Sequence, residues 1–251
     1  MHWTPGQRSI SILDVIGSAA VRAGVDMALR ILFLFGLLFT GAVVLFTIVH
    51  WDRRPPIYFA AESGDTNSLA RYLQAGSNVN DPVMCYRYGH RTAHLLQIAS
   101  ASGQVGAVDF LLKHGANPNL EDFNGSTPLL SALRDDETHL GVLRILLKAG
   151  ADPNLRSSSG FWTPLISAAD FGQTESIKCL LSAGADVRAT NSQGLTALHF
   201  AETAEAARLL IAAGADRTSR ADSETPAEAA LRLGHFDALS VLTNSSSRTN
   251  N

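Results

Sequence analysis

A glycine-centred phrase recurs five times in this chain and limits what it can fold into. It reads LQAGSNVN at 73–80, LKHGANPN at 112–119, LKAGADPN at 147–154, LSAGADVR at 181–188 and IAAGADRT at 211–218. Its glycines, Gly76, Gly115, Gly150, Gly184 and Gly214, are separated by 39, 35, 34 and 30 residues. Self-similarity with a period in the low thirties is the mark of a stack of small units, each unable to bury its apolar face alone and each buried by its neighbours.

The wording around the glycines says what each unit is. Thr127-Pro128-Leu129, Thr163-Pro164-Leu165, Thr196-Ala197-Leu198-His199 and Thr225-Pro226 each open an apolar stretch. A threonine in front of such a stretch is an N-cap, whose hydroxyl accepts from an orphan backbone N–H, and proline at the first helical position has no N–H to lose. Thr225-Pro-Ala-Glu228 also fits a capping box. The recurring glycine, following Leu-Leu-x-x or a close variant, fits the left-handed position just past a second helix. Each unit is therefore expected to be helix, turn, antiparallel helix and a short polar connection.

At this point the chain resembles the ankyrin repeat family. The family's T-P-L-H-x-A signature is matched by Thr163-Pro-Leu-Ile-Ser-Ala168 and, with the histidine kept, by Thr196-Ala-Leu-His-Phe-Ala201. The resemblance covers about 55–243 in about six repeats. It implies an all-α ankyrin repeat solenoid, with helix-turn-helix units and β-hairpin fingers that project beyond the helices. His199 would hydrogen-bond within the turn between repeats. In the first repeat Gly64 stands twelve residues before Gly76, and in the second, where His94-Leu-Leu-Gln-Ile-Ala99 replaces the signature, Gly103 stands twelve before Gly115. The second connection carries six extra residues, 18 from Gly76 to His94 against 12 from Gly115 to Thr127. The third repeat is two residues long in its interhelix turn, Arg134-Asp-Asp-Glu-Thr-His139. The fifth is three short, 18 from Thr196 to Gly214 against 21 from Thr163 to Gly184, so its first helix is expected to lose most of a turn.

Ahead of the repeats, Ile31 to Val49 is 19 residues without a charge. As a helix this run spans about 28 Å, close to the hydrocarbon thickness of a bilayer. It reads as one transmembrane helix, and no A-x-A-like cleavage site follows it. Upstream, Ser11, Asp14, Ser18, Arg22, Asp26 and Arg30 recur at helical spacing, so 1–30 is expected to hold an amphipathic helix that lies in the membrane interface, packs on another membrane protein or simply continues the anchor. Arg8, Arg22, Arg30 and the amino terminus precede the span while Arg53 and Arg54 follow it, a count that leans towards a cytoplasmic N-terminus. The tail over 244–251, NSSSRTNN, is expected to be disordered.

Composition excludes other classes. A formal net charge of -3, from 20 basic and 23 acidic residues, argues against a nucleic-acid binder. Two cysteines, Cys85 and Cys179, cannot build a disulfide framework, and Cys179 beside Leu180-Leu181 reads as a small core residue. No nucleophile elbow, phosphate-binding loop, zinc-protease helix or calcium loop occurs, so neither catalytic residues, nor a cofactor, nor a small-molecule substrate is expected. Cys85, His90 and His94 form C-x4-H-x3-H, the alternative of a membrane-bound metal or redox protein, but three close ligands fall short of the four of a structural zinc site. Asp135-Asp136-Glu137 reads as a solvated acidic turn.

Aromatic placement points to function. In stacks of this kind the fingers and inner helices line a concave face that binds proteins. Here the second finger carries Tyr86, Arg87, Tyr88, His90 and Arg91, the third Phe123, and the fourth Phe161 and Trp162, with Phe171 near the exposed end of an inner helix. Tyr, Trp and Arg are enriched in interface hot spots, so Tyr86, Arg87, Tyr88, Arg91, Phe123, Phe161, Trp162 and Phe171 are the expected partner-binding residues. The alternative is that these rings fold back and cap the core beneath neighbouring fingers.

Overall fold

The computed structural model describes residues 56–85, 91–133, 139–158, 160–221 and 224–243. The expected helix over 1–30, the apolar run over 31–49 and the tail over 244–251 lie outside the described residues. Among those described, no helix is long and apolar enough to cross a membrane.

The described residues form helix pairs in chain order. They are α1 (Pro56–Ser63) with α2 (Thr66–Gln74), α3 (Leu95–Ala101) with α4 (Val105–Lys113), α5 (Pro128–Ser131) with α6 (Leu140–Lys148), and α7 (Pro164–Asp170) with α8 (Thr174–Ser182). A 3-10 turn, Ala197–His199, then pairs with α9 (Ala204–Ala212), and α10 (Pro226–Leu233) pairs with α11 (Phe236–Thr243). The start signals act as their chemistry requires. Thr127 accepts from Leu130 N at 3.3 Å, Thr163 from Ile166 N at 3.2 Å and Thr225 from Glu228 N at 3.4 Å, while Glu228 returns the contact to Thr225 N at 2.7 Å. The stop signals hold as well: Gly76, Gly115, Gly150, Gly184 and Gly214 all have φ between 85° and 98°, a backbone that a Cβ would strain.

The core is made of columns, one rung per repeat. Val108 with Leu111, Leu143 with Leu146, Ile177 with Leu180, and Ala207 with Leu210 are i,i+3 pairs on the second helices, and all are fully or almost fully buried. The first helices contribute Ala60, Ala99, Ala132, Ala168, Ala201 and Ala230, the last residue of the signature in each repeat, and all are buried. Alanine there lets adjacent inner helices approach closely without leaving a void. The three-residue deletion in the fifth repeat falls where expected: its first helix shrinks to the single 3-10 turn Ala197–His199. In the third repeat α5 has four residues, and 134–138 lie outside the described residues.

Hydrogen bonds join the repeats along the edge that carries the glycines. Asn80 Nδ2 donates to Gly115 O at 3.1 Å while its Oδ1 accepts from Asn117 N at 2.8 Å. Asn119 repeats this with Gly150 O and Asp152 N, and Asn154 with Gly184 O and Asp186 N, at the same distances. Each asparagine thus satisfies a helix-terminal carbonyl and a loop N–H of the next repeat. The next position is Arg188, which has no acceptor oxygen on its side chain, and the ladder ends there.

The fingers differ from the expectation. Among the described residues only the second connection forms a ladder, β1 (Val83–Cys85) antiparallel to β2 (Arg91–Ala93), with Met84 opposite Thr92. Its six extra residues supply the length for two strands. The shorter connections make tighter hairpins, with single antiparallel bridges at Thr190–Thr196 and Ala221–Glu224, and turn on Asp122, which accepts from Asn124 N and Ser126 N, or on Asn191, which accepts from Gln193 N and Leu195 N.

Arg188→Asn is expected to add a fourth rung, to Gly214 O and Asp216 N, and to raise the unfolding free energy by about 1 kcal/mol. Urea melts of the two chains test this, and a midpoint that stays or falls speaks against the ladder as a source of stability.

Candidate partner-binding surface

The three phenylalanines expected at the surface are there. Phe123 is 45% exposed, Phe161 51% and Phe171 49%. Phe123 and Phe161 sit on adjoining fingers. A Cβ on Gly125 of the third finger would come within 2.5 Å of the Ser158 N of the fourth, so the two fingers touch. Phe171 lies elsewhere, as the C-cap of α7. The seven-residue helix puts it about 10 Å along the inner surface from the finger edge. The set is therefore two neighbouring rings at the finger edge and a third at the far end of the inner helix.

Trp162 behaves differently. It is half-buried against the core, with its ring centroid 4.9 Å from that of Phe200 in the next repeat. Its N–H donates to Ser157 Oγ at 3.2 Å and its carbonyl accepts from Ser157 N at 2.9 Å. This ring folds back and braces the fourth finger. Tyr86, Arg87, Tyr88 and His90 lie outside the described residues, as do the side chains of Arg91 and Cys85, whose backbones form the ends of β2 and β1.

The fingers are tied edge to edge. Phe123 N donates to Thr92 O at 3.4 Å and Ser192 N donates to Gly160 O at 3.0 Å. Beneath them, the third helical position is a polar slot in the second and fifth repeats, whereas the third and fourth repeats hold Leu130 and Ile166 there. In the fifth repeat His199 fills it: Nδ1 accepts from Thr196 N at 3.1 Å, and the ring is 1% exposed. In the second repeat Gln97 fills it, with Oε1 accepting from His94 N at 2.8 Å and Nε2 donating to Ser126 O and Leu120 O of the following finger. The motif His94-Leu-Leu-Gln-Ile-Ala99 carries Gln97 at the spacing from His94 that His199 has from Thr196, but the letter alone does not mark its role. Its amide offers the acceptor and donor that a neutral imidazole offers.

A second set of residues closes the opposite edge. Gln104 Nε2 donates to Glu62 O of the preceding repeat at 3.1 Å, and Gln173 Nε2 to Leu133 O at 3.3 Å. Glu202 lies over Gly172 in the same way, where a Cβ would run into its carboxylate. Near it, burial pushes the Asp170 carboxyl up, with Glu202 adding to that rise and His235 opposing it.

Among the described residues no three of His, Cys, Asp and Glu are placed to hold a metal. His94, one of the three C-x4-H-x3-H residues, is the residue that precedes α3, and its Nδ1 lies 3.0 Å from Asn80 O. Cys179 is half-buried against the core.

A file of helix pairs with exposed rings on projecting turns defines a repeat-built interaction module. The chain belongs to the ankyrin repeat family: ankyrin repeats match it in three copies, over 57–157, 139–220 and 165–251. A solved ankyrin repeat domain from Acinetobacter baumannii AYE superposes with a TM-score of 0.63 at 26% identity, covering 74% of this chain and 95% of that one. Human SH3 and multiple ankyrin repeat domains protein 2 is 28% identical over 194 residues, 75% of this chain but 10% of that protein. An L-asparaginase from Dirofilaria immitis is 31% identical over 143 residues, 57% of this chain and 23% of that one. The chain thus spans less than a quarter of the length of these curated relatives. What is shared is the repeat fold, which in general is a non-enzymatic module that binds protein partners.

His199 gives the stack a pH dependence. Burial favours the neutral ring and holds its pKa below the ordinary 6.5, with the backbone of Glu224 and Ser219 opposing. The unfolded chain then takes up the proton more readily, so the stability this group contributes is complete above the unfolded value and is lost as pH falls below it. Urea midpoints are expected to drop between about pH 7 and about pH 5, and His199→Gln, the side chain that the second repeat uses in this slot, is expected to reduce that drop. An undiminished drop in the variant contradicts the assignment.

Proposed function

We propose that this chain is a single-pass membrane-anchored ankyrin repeat protein, a non-enzymatic scaffold that holds a protein partner at the finger edge and inner surface of its stack close to the bilayer. The uncharged run over 31–49 would be the anchor, with 1–30 as an amphipathic helix ahead of it and the repeats over 55–243 behind it. Pro56 opens α1 seven residues after Val49, and Pro55-Pro56 would stiffen the junction, a short spacing that supports a stack held near the membrane surface. The charge count around the run favours a cytoplasmic N-terminus.

The observation that carries the binding half of this reading is the pair Phe123 and Phe161, about half exposed on fingers that hydrogen bonds already fix. A preordered surface loses little entropy on binding, and an anchor raises the local concentration of partners at the membrane. Tyr86, Arg87, Tyr88 and Arg91 on the neighbouring finger would extend the patch, and Phe171 would reach the inner end of it.

Two variants of the full chain test the two halves. Phe123→Ser combined with Phe161→Ser is expected to lower recovery of whole-cell crosslinked partners by about tenfold or more, with a melting temperature that moves by less than about 4 °C. Unchanged recovery, or collapse of the fold, overturns the binding surface. Replacing 31–49 with a polar linker is expected to shift the chain from the membrane fraction to the supernatant. A full chain that is already in the supernatant, or a variant that stays on the membrane, overturns the anchor.

A further inference from the structure

The joint between the fourth and fifth repeats is built differently from the three before it. At those three an asparagine closes the glycine edge, Asn80, Asn119 and Asn154 in turn. Arg188 stands in that place at the fourth joint, with no side-chain oxygen to accept from Asp216 N. On the opposite edge the residue ahead of each second helix reaches back one repeat: Gln104 to Glu62 O, Gln173 to Leu133 O, and His139 onto Gly103. Its counterpart in the fifth repeat is Thr203, whose hydroxyl turns to its own helix and accepts from Ala206 N at 3.1 Å. The polar slot at the third helical position is missing too, since Ile166 fills it. The third joint also has an apolar slot, Leu130, but keeps Asn154 and Gln173.

A lost turn adds to this. Thr203 follows Thr196 by seven residues, whereas Gln173 follows Thr163 by ten, so the fifth repeat has no counterpart of Ala169, Asp170 and Phe171. Glu202 lies over Gly172 instead, and its charge acts on the Asp170 carboxyl across the joint, like against like, with His235 of the sixth repeat opposing. The fifth and sixth repeats are joined more firmly to each other. The His199 ring lies against the backbone of Ser219 and Glu224 in the following finger, and α9 packs along α11 more extensively than along α8. Ala206, Leu210, Ala238 and Leu242 are all buried there. The fifth finger goes with this pair, bridged to it from Thr190 to Thr196.

What remains at the fourth joint among the described residues, beyond apolar packing, is the surface pair of Lys178 and Glu205 and two contacts of the fourth finger. Those two are the Trp162 ring on Phe200 and the bond from Ser192 N to Gly160 O, so the fourth finger is braced by the repeat that follows it. A segment with few ties to its neighbour and many within itself opens as a cooperative unit. We propose that the fifth finger and repeats five and six, 189–243, undock from the fourth repeat as one unit while the rest of the stack stays folded, and that undocking unbraces the fourth finger. Docked, the unit holds Trp162 on Phe200; undocked, it lets the finger go. Neither a partner nor a bilayer is required for this switch.

Hydrogen exchange on the full chain, resolved by peptide, tests the switch. Peptides of α9 and α11 are expected to share one rate, about tenfold or more above that of α4, α6 and α8, and the peptide that holds Trp162 is expected to follow them. Arg188→Asn combined with Thr203→Gln supplies the two absent ties. The pair is expected to slow exchange over 189–243 as a block by about fivefold or more, whereas Asn119→Ala, at an earlier joint, leaves that rate unchanged. Arg188→Asn alone acts in the same direction and keeps the Thr203 cap. Three results overturn the unit: one rate across every repeat, α11 exchanging well ahead of α9, or variants that slow α9 and not α11. A Trp162 peptide that stays protected while 189–243 exchanges overturns the release of the finger.

Discussion

Everything in this fold depends on the joint between one repeat and the next. Within a repeat the two helices are seven to nine residues long in most pairs, too short to persist alone in water. What holds them is the burial of Leu, Ile and Val columns against the neighbouring rung, with alanines where the inner helices meet. The polar groups follow from that geometry. Stacking places each helix-terminal carbonyl near the next repeat, and Asn80, Asn119 and Asn154 satisfy it. At Arg188 the hydrogen-bonded edge stops, and the joint between the fourth and fifth repeats carries instead a surface pair, Lys178 with Glu205 at 2.9 Å. Such a pair contributes little in solvent, so apolar packing carries most of that joint, with the finger bond from Ser192 N to Gly160 O beside it.

A joint of this kind makes a surface as a by-product. Stacked units place their turns in a row, and each turn is locked by its neighbour through backbone bonds such as Phe123 N to Thr92 O and Ser192 N to Gly160 O. The surface is therefore rigid before anything binds. The fold is common to many proteins, so under the proposed reading any specificity would lie in the side chains that the turns hold out.

Much of the fold was legible in the sequence because periodic features have local causes. Thr127, Thr163 and Thr225 cap because of hydroxyl chemistry, and the five glycines end helices because the left-handed region excludes a Cβ. The missing turn at Ala197–His199 follows from counting residues. What escaped depended on neighbours 30 or more residues away. The asparagines closing three of the glycine phrases were in plain view, but their partners, Gly115, Gly150 and Gly184, are defined only once the repeats are stacked. Gln97 was hidden for a related reason: an amide replaces an imidazole by function, which a pattern of letters does not record. The expected hairpins shorten to single antiparallel bridges, Thr190 with Thr196 and Ala221 with Glu224, where tight turns leave no room for longer strands. Of the finger aromatics, Phe123 and Phe161 are exposed, whereas Trp162 turns inward towards Phe200, a choice set by a ring in another repeat.

Nearest-neighbour stacking is the source of order in this chain, and residue-resolved hydrogen exchange on the intact protein is the sharpest test of it. Amides around Val108, Leu143 and Ile177, in rungs covered on both sides, are expected to be the most protected, with protection declining stepwise towards α1 and α11. Equal protection in every repeat, or full protection of one helix pair while its neighbours exchange freely, would contradict it.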